Sequence, residues 1–159
     1  MSARLRERAP RRVPLTLPRL DDVLQIEQAA YEFPWTRGNF IDSLAARYLA
    51  EMLVDDGAVL GYFVAMAGID EMHLLNLTVA PAWQGQGHGR ALLDALVESC
   101  RARGARTLWR EVRESNVRAR AIYQRDGFGE VGRRRGYYPA PGNAREDAVV
   151  MSLEVGDVE

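Results

Sequence analysis

"PAWQGQGHGRALL", residues 81–93, sets Gly85, Gly87 and Gly89 one residue apart and then runs straight into an apolar helical pattern. Glycine weakens a helix start, so a chain that uses three here wants the backbone geometry they permit. One use is to aim bare N–H groups at an anion. The first amides of a helix have no intrahelical acceptor, and the helix dipole adds positive potential at that end. A phosphate is the natural guest. A P-loop would need Gly-Lys-Ser/Thr where Gly89-Arg90-Ala91 stands, and a dinucleotide fingerprint would need Gly-x-Gly-x-x-Gly. The spacing present is Gln84-x-x-Gly87-x-Gly89.

On the N-terminal side of the loop, "EMHLLNLTVAP" reads as a strand ending at Val79 and stopped by Pro81. On the other side, Leu92, Leu93, Leu96, Val97 and Cys100 share one face of a helix that stops at Gly104, which makes Cys100 a core residue. "ARTLWREV" is a further strand, "SNVRARAIYQRDG" a helix ended by Gly127, and "FGEVGRRRGYYP" and "EDAVVMSLEV" are two terminal strands. Upstream, Val23, Leu24, Ile26 and Ala30 mark a helix that Asp21 and Asp22 can cap, ending near Tyr31. A shorter helix follows Thr36, its candidate cap, and carries Phe40, Ile41 and Leu44, while Asp55, Asp56 and Gly57 join two strands as a hairpin. The order ααβββαβαββ implies an α/β (α+β) fold with helices on the faces of a mixed sheet. At least one right-handed crossover joins two parallel strands in it.

Composition narrows the function classes. The 159 residues suffice for one domain with a real core, 47% are hydrophobic, and apolar runs stay short of the roughly 20 residues of a membrane span. A net charge of −1 argues against a nucleic-acid coat. One cysteine excludes an internal disulfide, and two distant histidines, His73 and His88, make no metal cluster, with His73 read as a strand residue. All 21 basic residues are arginine, which excludes a lysine Schiff base. The opening "MSARLRERAPRR", with five arginines and no apolar periodicity, predicts a flexible arm over residues 1–13 ahead of a single domain over 14–155. No apolar signal-peptide core follows a basic stretch, so a cytoplasmic protein is expected.

The glycine spacing, with "NLTVAP" before it and "RALL" after it, resembles the pyrophosphate-binding motif of the GCN5-related N-acetyltransferases, the GNAT family. The likeness continues through "IEQAAYEFPW", "TLWREVRESNVRARAIYQRDGFGEVGRRRGYYP" and "GNAREDAVVMSLEV", over about residues 14–155. Within the family it is most similar to the bacterial branch that acetylates the N-terminal alanine of the eighteenth small-subunit ribosomal protein. The resemblance implies the GNAT fold, a mixed and mostly antiparallel sheet flanked by helices, with acetyl-CoA as co-substrate and no metal. It implies the N-terminus of a ribosomal protein as partner, with no membrane and no specific nucleic acid involved, and a monomer is the favoured state.

Amine acetylation needs a neutral nucleophile, and an α-amine titrates near pH 8, so a carboxylate acting directly or through a water suffices as base. The resemblance puts that base on Glu111, with Glu114 in an exposed turn as its nearest competitor, and the general acid for the departing thiolate on Tyr123. By the same resemblance, Leu77, Thr78 and Val79 hold the pantetheine arm, Gly85, Gln86, Gly87, His88, Gly89 and Arg90 wrap the pyrophosphate, and Asn116 contacts the cofactor. Asn116 also suits a helix cap, and Tyr123 also suits core packing beside Ile122. Arg110, where an apolar residue is more usual, predicts an exposed outer strand face. For the acceptor, Phe33 and Trp35 are expected on one wall of a groove and Tyr137 and Tyr138 on the other, with Glu32 meeting the second residue. Two further readings stand beside this one: a broader protein N-terminal or small-amine acetyltransferase, and a non-catalytic CoA-binding, ribosome-associated factor. A silent factor has no need of both Glu111 and Tyr123.

Overall fold

In the computed structural model, which describes residues 10–156, the chain runs β1 (Arg11–Pro14), α1 (Leu20–Ala30), α2 (Arg37–Ala45), β2 (Leu49–Asp55), β3 (Ala58–Ala67) and β4 (Glu71–Val79). It continues with α3 (His88–Arg103), β5 (Thr107–Arg113), α4 (Val117–Arg125), β6 (Gly129–Pro139) and β7 (Arg145–Glu154). From α1 onward this is the expected order. The addition is β1, which pairs antiparallel with β2 from Arg11 opposite Val54 to Pro14 opposite Glu51. The flexible arm expected over residues 1–13 is therefore wrong for Arg11, Arg12 and Val13, and its first nine residues lie outside the described chain. An edge strand is recruited by the backbone groups of its neighbour and needs no apolar alternation of its own, so the sequence pattern does not announce it. Arg12 adds an ion pair to Glu51 at 3.3 Å.

Capping chemistry explains where the helices start. Thr36 accepts from the Asn39 N–H while the Asn39 side chain accepts from the Thr36 N–H, a reciprocal pair that satisfies two amides at the head of α2. Asp21 and Asp22 do not cap α1, contrary to expectation. They sit inside its first turn, behind Arg19, where their charge complements the helix dipole. In α2, Phe40 is fully buried while Ile41 faces solvent.

The strands form one sheet in the order β1-β2-β3-β4-β5-β7-β6. The expected parallel pair is β4 with β5, joined by α3 and in register from Glu71 opposite Thr107 to Leu74 opposite Arg110. β7 lies between β5 and β6 and pairs antiparallel with both. The chain divides into two compact units. The first comprises Met1–Val64 and Asn76–Asp94 and buries Val23, Phe40, Tyr62, Phe63 and Leu92. The second comprises Ala65–Leu75 and Ala95–Glu159 and buries Met72, Leu96, Leu108 and Met151 together with Cys100. Burial pushes the Cys100 thiol up to about 11, as befits an inert core residue.

Candidate active site

The first unit carries the glycine loop. Gly85 and Gly87 adopt φ of +77° and +85°, in the left-handed region that favours glycine, whereas Gly89 lies within α3 and has no such requirement. A Cβ added at Gly85 or Gly87 meets no atom within 4 Å, so this backbone faces open space. The helical ladder of α3 includes the Ala91 N–H on the Gly87 carbonyl, which puts the N–H groups of His88 and Gly89 at the N-terminal end of the helix. Gln84 ties the loop to the end of β4 through the Val79 carbonyl at 3.2 Å. Gln86 is exposed, the half-buried His88 ring lies edge-on to Trp83, and Arg90 pairs with Asp94 along the helix.

Behind the loop, Thr78 is buried and Leu77 and Val79 are half-buried on β4. The Tyr31 hydroxyl bonds to the Thr78 hydroxyl at 2.7 Å and to the Leu77 carbonyl at 3.3 Å. Beneath it lies a polar network that the sequence reading did not find. Glu27, on α1 and only 1% exposed, accepts from the Tyr62 hydroxyl (2.6 Å), the Asn76 amide (3.0 Å) and the Trp35 backbone N–H (2.8 Å), and Thr78 donates to Asn76. Burial first, and then the Glu27 charge, push the Tyr62 phenol far above its ordinary range, which keeps it a donor. Through Trp35 this network fixes the aromatic elbow: the Trp35 ring packs on Phe40 at 5.1 Å, while Phe33 and Glu32 are exposed.

The second unit carries the titratable cluster. Glu111 follows Arg110, the last β5 position paired with β4, and is 8% exposed. Its Oε2 lies 2.5 Å from His73 Nε2, and its Oε1 accepts from Arg134 at 3.1 Å. Burial alone would push this carboxyl up, but the hydrogen bonds and charges of His73 and Arg134 outweigh it and hold the group below the usual carboxylate range. An ionised carboxylate has no proton to give, so His73 Nε2 is the donor. The register explains the meeting. His73 stands opposite Trp109, and Glu111 is two residues further along β5, on the same face. Neither His73 nor Arg134 was singled out for the site from sequence, because only the β4–β5 register and the turn of β6 bring them there.

The clasp extends outward along β6. The Arg134 guanidinium lies 4.7 Å from the Tyr137 ring centroid, Tyr137 and Tyr138 meet edge to face at 4.9 Å, and the Arg113 guanidinium lies 4.6 Å from Tyr138. Burial, opposed by Arg110 and reinforced by Tyr137 and Glu111, pushes the Tyr138 hydroxyl up to about 12. Tyr123 is buried on α4 with its ring edge-on to Phe128 at 5.2 Å, while Ile122, the expected packing neighbour, is exposed. Arg110 does not mark an exposed face. Its guanidinium lies 5.9 Å from the Tyr123 ring and donates to the Leu74 carbonyl at 3.4 Å, since a long arginine stem can bury while its charge finds a partner. Asn116 caps α4 through the Ala119 N–H at 3.1 Å, and Glu114, in its turn, is paired with Arg133 at 2.7 Å.

A glycine loop at the head of a helix, with parallel strands before and after it in a mixed sheet, is the architecture of a phosphate-binding protein. The acetyltransferase (GNAT) family pattern matches residues 20–128, and the chain belongs to that family, whose acetyl donor is acetyl-CoA. Its similarity to particular enzymes runs further. It is 42% identical over 130 residues to the [ribosomal protein bS18]-alanine N-acetyltransferase of Escherichia coli strain K12, which covers 82% of this chain and 87% of that enzyme. It is 40% identical over 131 residues to the enzyme of the same name from Haemophilus ducreyi, covering 82% and 90%. The crystal structure of the ribosomal-protein-S18-alanine N-acetyltransferase from Escherichia coli superposes with a TM-score of 0.85 at 38% identity, covering 94% of this chain and 96% of that one. Among the described residues, no helix is long and apolar enough to cross a membrane.

Proposed function

We propose that this acetyltransferase modifies the α-amine of a protein N-terminus, and that its acceptor is the N-terminal alanine of ribosomal protein bS18. The observation that carries the reading is the buried Glu111, held by His73 and Arg134 just past the paired stretch of β5, in a chain about 40% identical to enzymes named for that acceptor. The open space over Gly85 and Gly87 and the N-terminal end of α3 fit a diphosphate, so Gly85, Gln86, Gly87, His88, Gly89 and Arg90 would hold that part of acetyl-CoA. The backbone of Leu77, Thr78 and Val79 would hold its pantetheine arm, with Asn116 as a further contact. Acetyl-CoA supplies an acetyl thioester, the activated carbonyl that an amine can attack.

The chain's own residues then handle protons. Glu111 drives removal of a proton from the acceptor ammonium, directly or through an intervening group, and so frees the nitrogen lone pair. The Tyr123 hydroxyl holds the proton that the departing sulfur takes up. Phe33 with Trp35, and separately Tyr137 with Tyr138, offer aromatic surface to an extended peptide, and the exposed Glu32 offers a carboxylate to a basic second residue. A free terminus meets these requirements at less cost in deprotonation than a mid-chain lysine, because its amine sheds a proton nearer neutral pH.

A hexapeptide beginning Ala-Arg tests the acceptor. Mass spectrometry is expected to find a single acetyl group on the α-amine of residue one, and the enzyme's lack of lysine keeps lysine self-acetylation out of the spectrum. Equal rates on an N-terminally blocked peptide with an internal lysine, or faster turnover of an aminoglycoside, would refute this acceptor.

A further inference from the structure

Glu111 is clasped from two sides, and the clasp is asymmetric. Arg134 can only neutralise, since a guanidinium does not give up its proton in a protein. His73 is different in kind: its Nε2–H points at Glu111 Oε2, which leaves Nδ1 as a lone-pair nitrogen at the opposite edge of the ring. Nδ1 has no hydrogen-bond partner among the described residues, and the His73 side chain is 25% exposed against 9% for Glu111. A carboxylate behind one imidazole nitrogen fixes the tautomer and stabilises the imidazolium formed when the other nitrogen takes a proton.

We infer that His73 is a catalytic residue, the atom that receives the amine proton being its Nδ1, with Glu111 as the group that orients and charges the imidazole. The inference rests on the acetyltransferase reading and deepens it. The acceptor ammonium passes one N–H proton to His73 Nδ1, directly or through one water, and becomes a neutral amine. The imidazolium is held by the Glu111 carboxylate and releases that proton to solvent from its exposed edge. No proton is created or lost, and no other reactant is needed. The division of labour agrees with the charges around the pair. Glu111 on β5 is drawn on by Arg134 of β6, whose charge stacks on Tyr137, and Tyr138 and Arg110 stand in the same field. A carboxylate so stabilised keeps its charge beside the ring, which orients the imidazole and leaves its second nitrogen turned away from Glu111.

His73→Gln tests the assignment, because glutamine can still donate an N–H to Glu111 yet has no atom that takes a proton near neutral pH. With acetyl-CoA and the Ala-Arg peptide, kcat is expected to fall about 10² while acetyl-CoA Kd stays unchanged. The imidazole limb of the pH profile should vanish, leaving only the rise that follows the peptide α-amine. The wild-type enzyme supplies a second readout without substrate. With two histidines in the chain, ring ¹⁵N spectra resolve His73, and they should show Nε2 protonated and Nδ1 bare once the ring is neutral. A neutral ring that carries its proton on Nδ1, or a folded His73→Gln enzyme with wild-type kcat and pH limb, overturns the inference. Failure of wild-type enzyme on the peptide would instead refute the acceptor, and the spectra would still decide the role of His73.

Discussion

In the proposed mechanism Glu111 is the central residue, and its environment sets what substitution should do. Glu111→Gln removes the charge that holds His73 while keeping the shape, so kcat should fall by about 10² or more with acetyl-CoA affinity nearly intact. Tyr123→Phe should lower kcat similarly, since packing on Phe128 fixes the ring and only the hydroxyl is lost. Steady-state kinetics beside calorimetry separates the two effects, and wild-type turnover in either variant would remove that residue from the mechanism. Glu27 carries a structural prediction. Glu27→Ala leaves the Tyr62 hydroxyl, the Asn76 amide and the Trp35 N–H without their acceptor in a buried site. A loss of about 3 kcal/mol in urea unfolding is expected, and a loss below about 0.5 kcal/mol would mean that water replaces the carboxylate.

At the scale of elements, the loop before α3 separates two roles of glycine. Gly87→Val strains the backbone whether or not a ligand is bound, because φ is +85°. Gly89→Val does not, since a Cβ there makes an ordinary 3.6 Å contact with Val79. If a diphosphate sits against these amides, Gly89→Val should keep its melting temperature within a few degrees and yet lose at least about tenfold, roughly 1.4 kcal/mol, in acetyl-CoA affinity. Undiminished affinity by calorimetry would move the cofactor off the loop. At the head of α2, Thr36→Ala opens the reciprocal cap and should cost about 1 kcal/mol.

Over the whole molecule, the acid limb of stability follows from two carboxyls held low. Glu111 is lowered by His73 and Arg134 against its burial, and Glu146 by the Ser115 N–H at 2.7 Å and Arg113 at 3.1 Å. A carboxyl whose folded value lies below its unfolded one contributes stability that is fully present above about pH 4.3. That contribution is lost as the pH falls through the folded value. Urea midpoints should therefore drop steeply below about pH 4 in the wild type. They should drop less steeply in Glu111→Gln and Glu146→Gln, and parallel acid limbs in all three would show that other groups govern the transition.

What the sequence alone determined is what neighbouring residues decide among themselves. The period of Leu92, Leu93, Leu96 and Cys100 made a buried helix face, Thr36 made a cap, Asp56-Gly57 made a hairpin turn, and the glycines made a loop with left-handed backbone at Gly85 and Gly87. Each rests on backbone sterics or on a side chain reaching a few positions along its own chain. Tertiary structure decided the rest. The insertion of β7 between β5 and β6, the recruitment of β1 by β2, the meeting of His73 with Glu111 across 38 residues and of Glu27 with Tyr62 across 35 all depend on strand order and register. Such pairings are set by which backbone edges and faces come together when the apolar surfaces are buried, and no local pattern of residue types encodes that outcome.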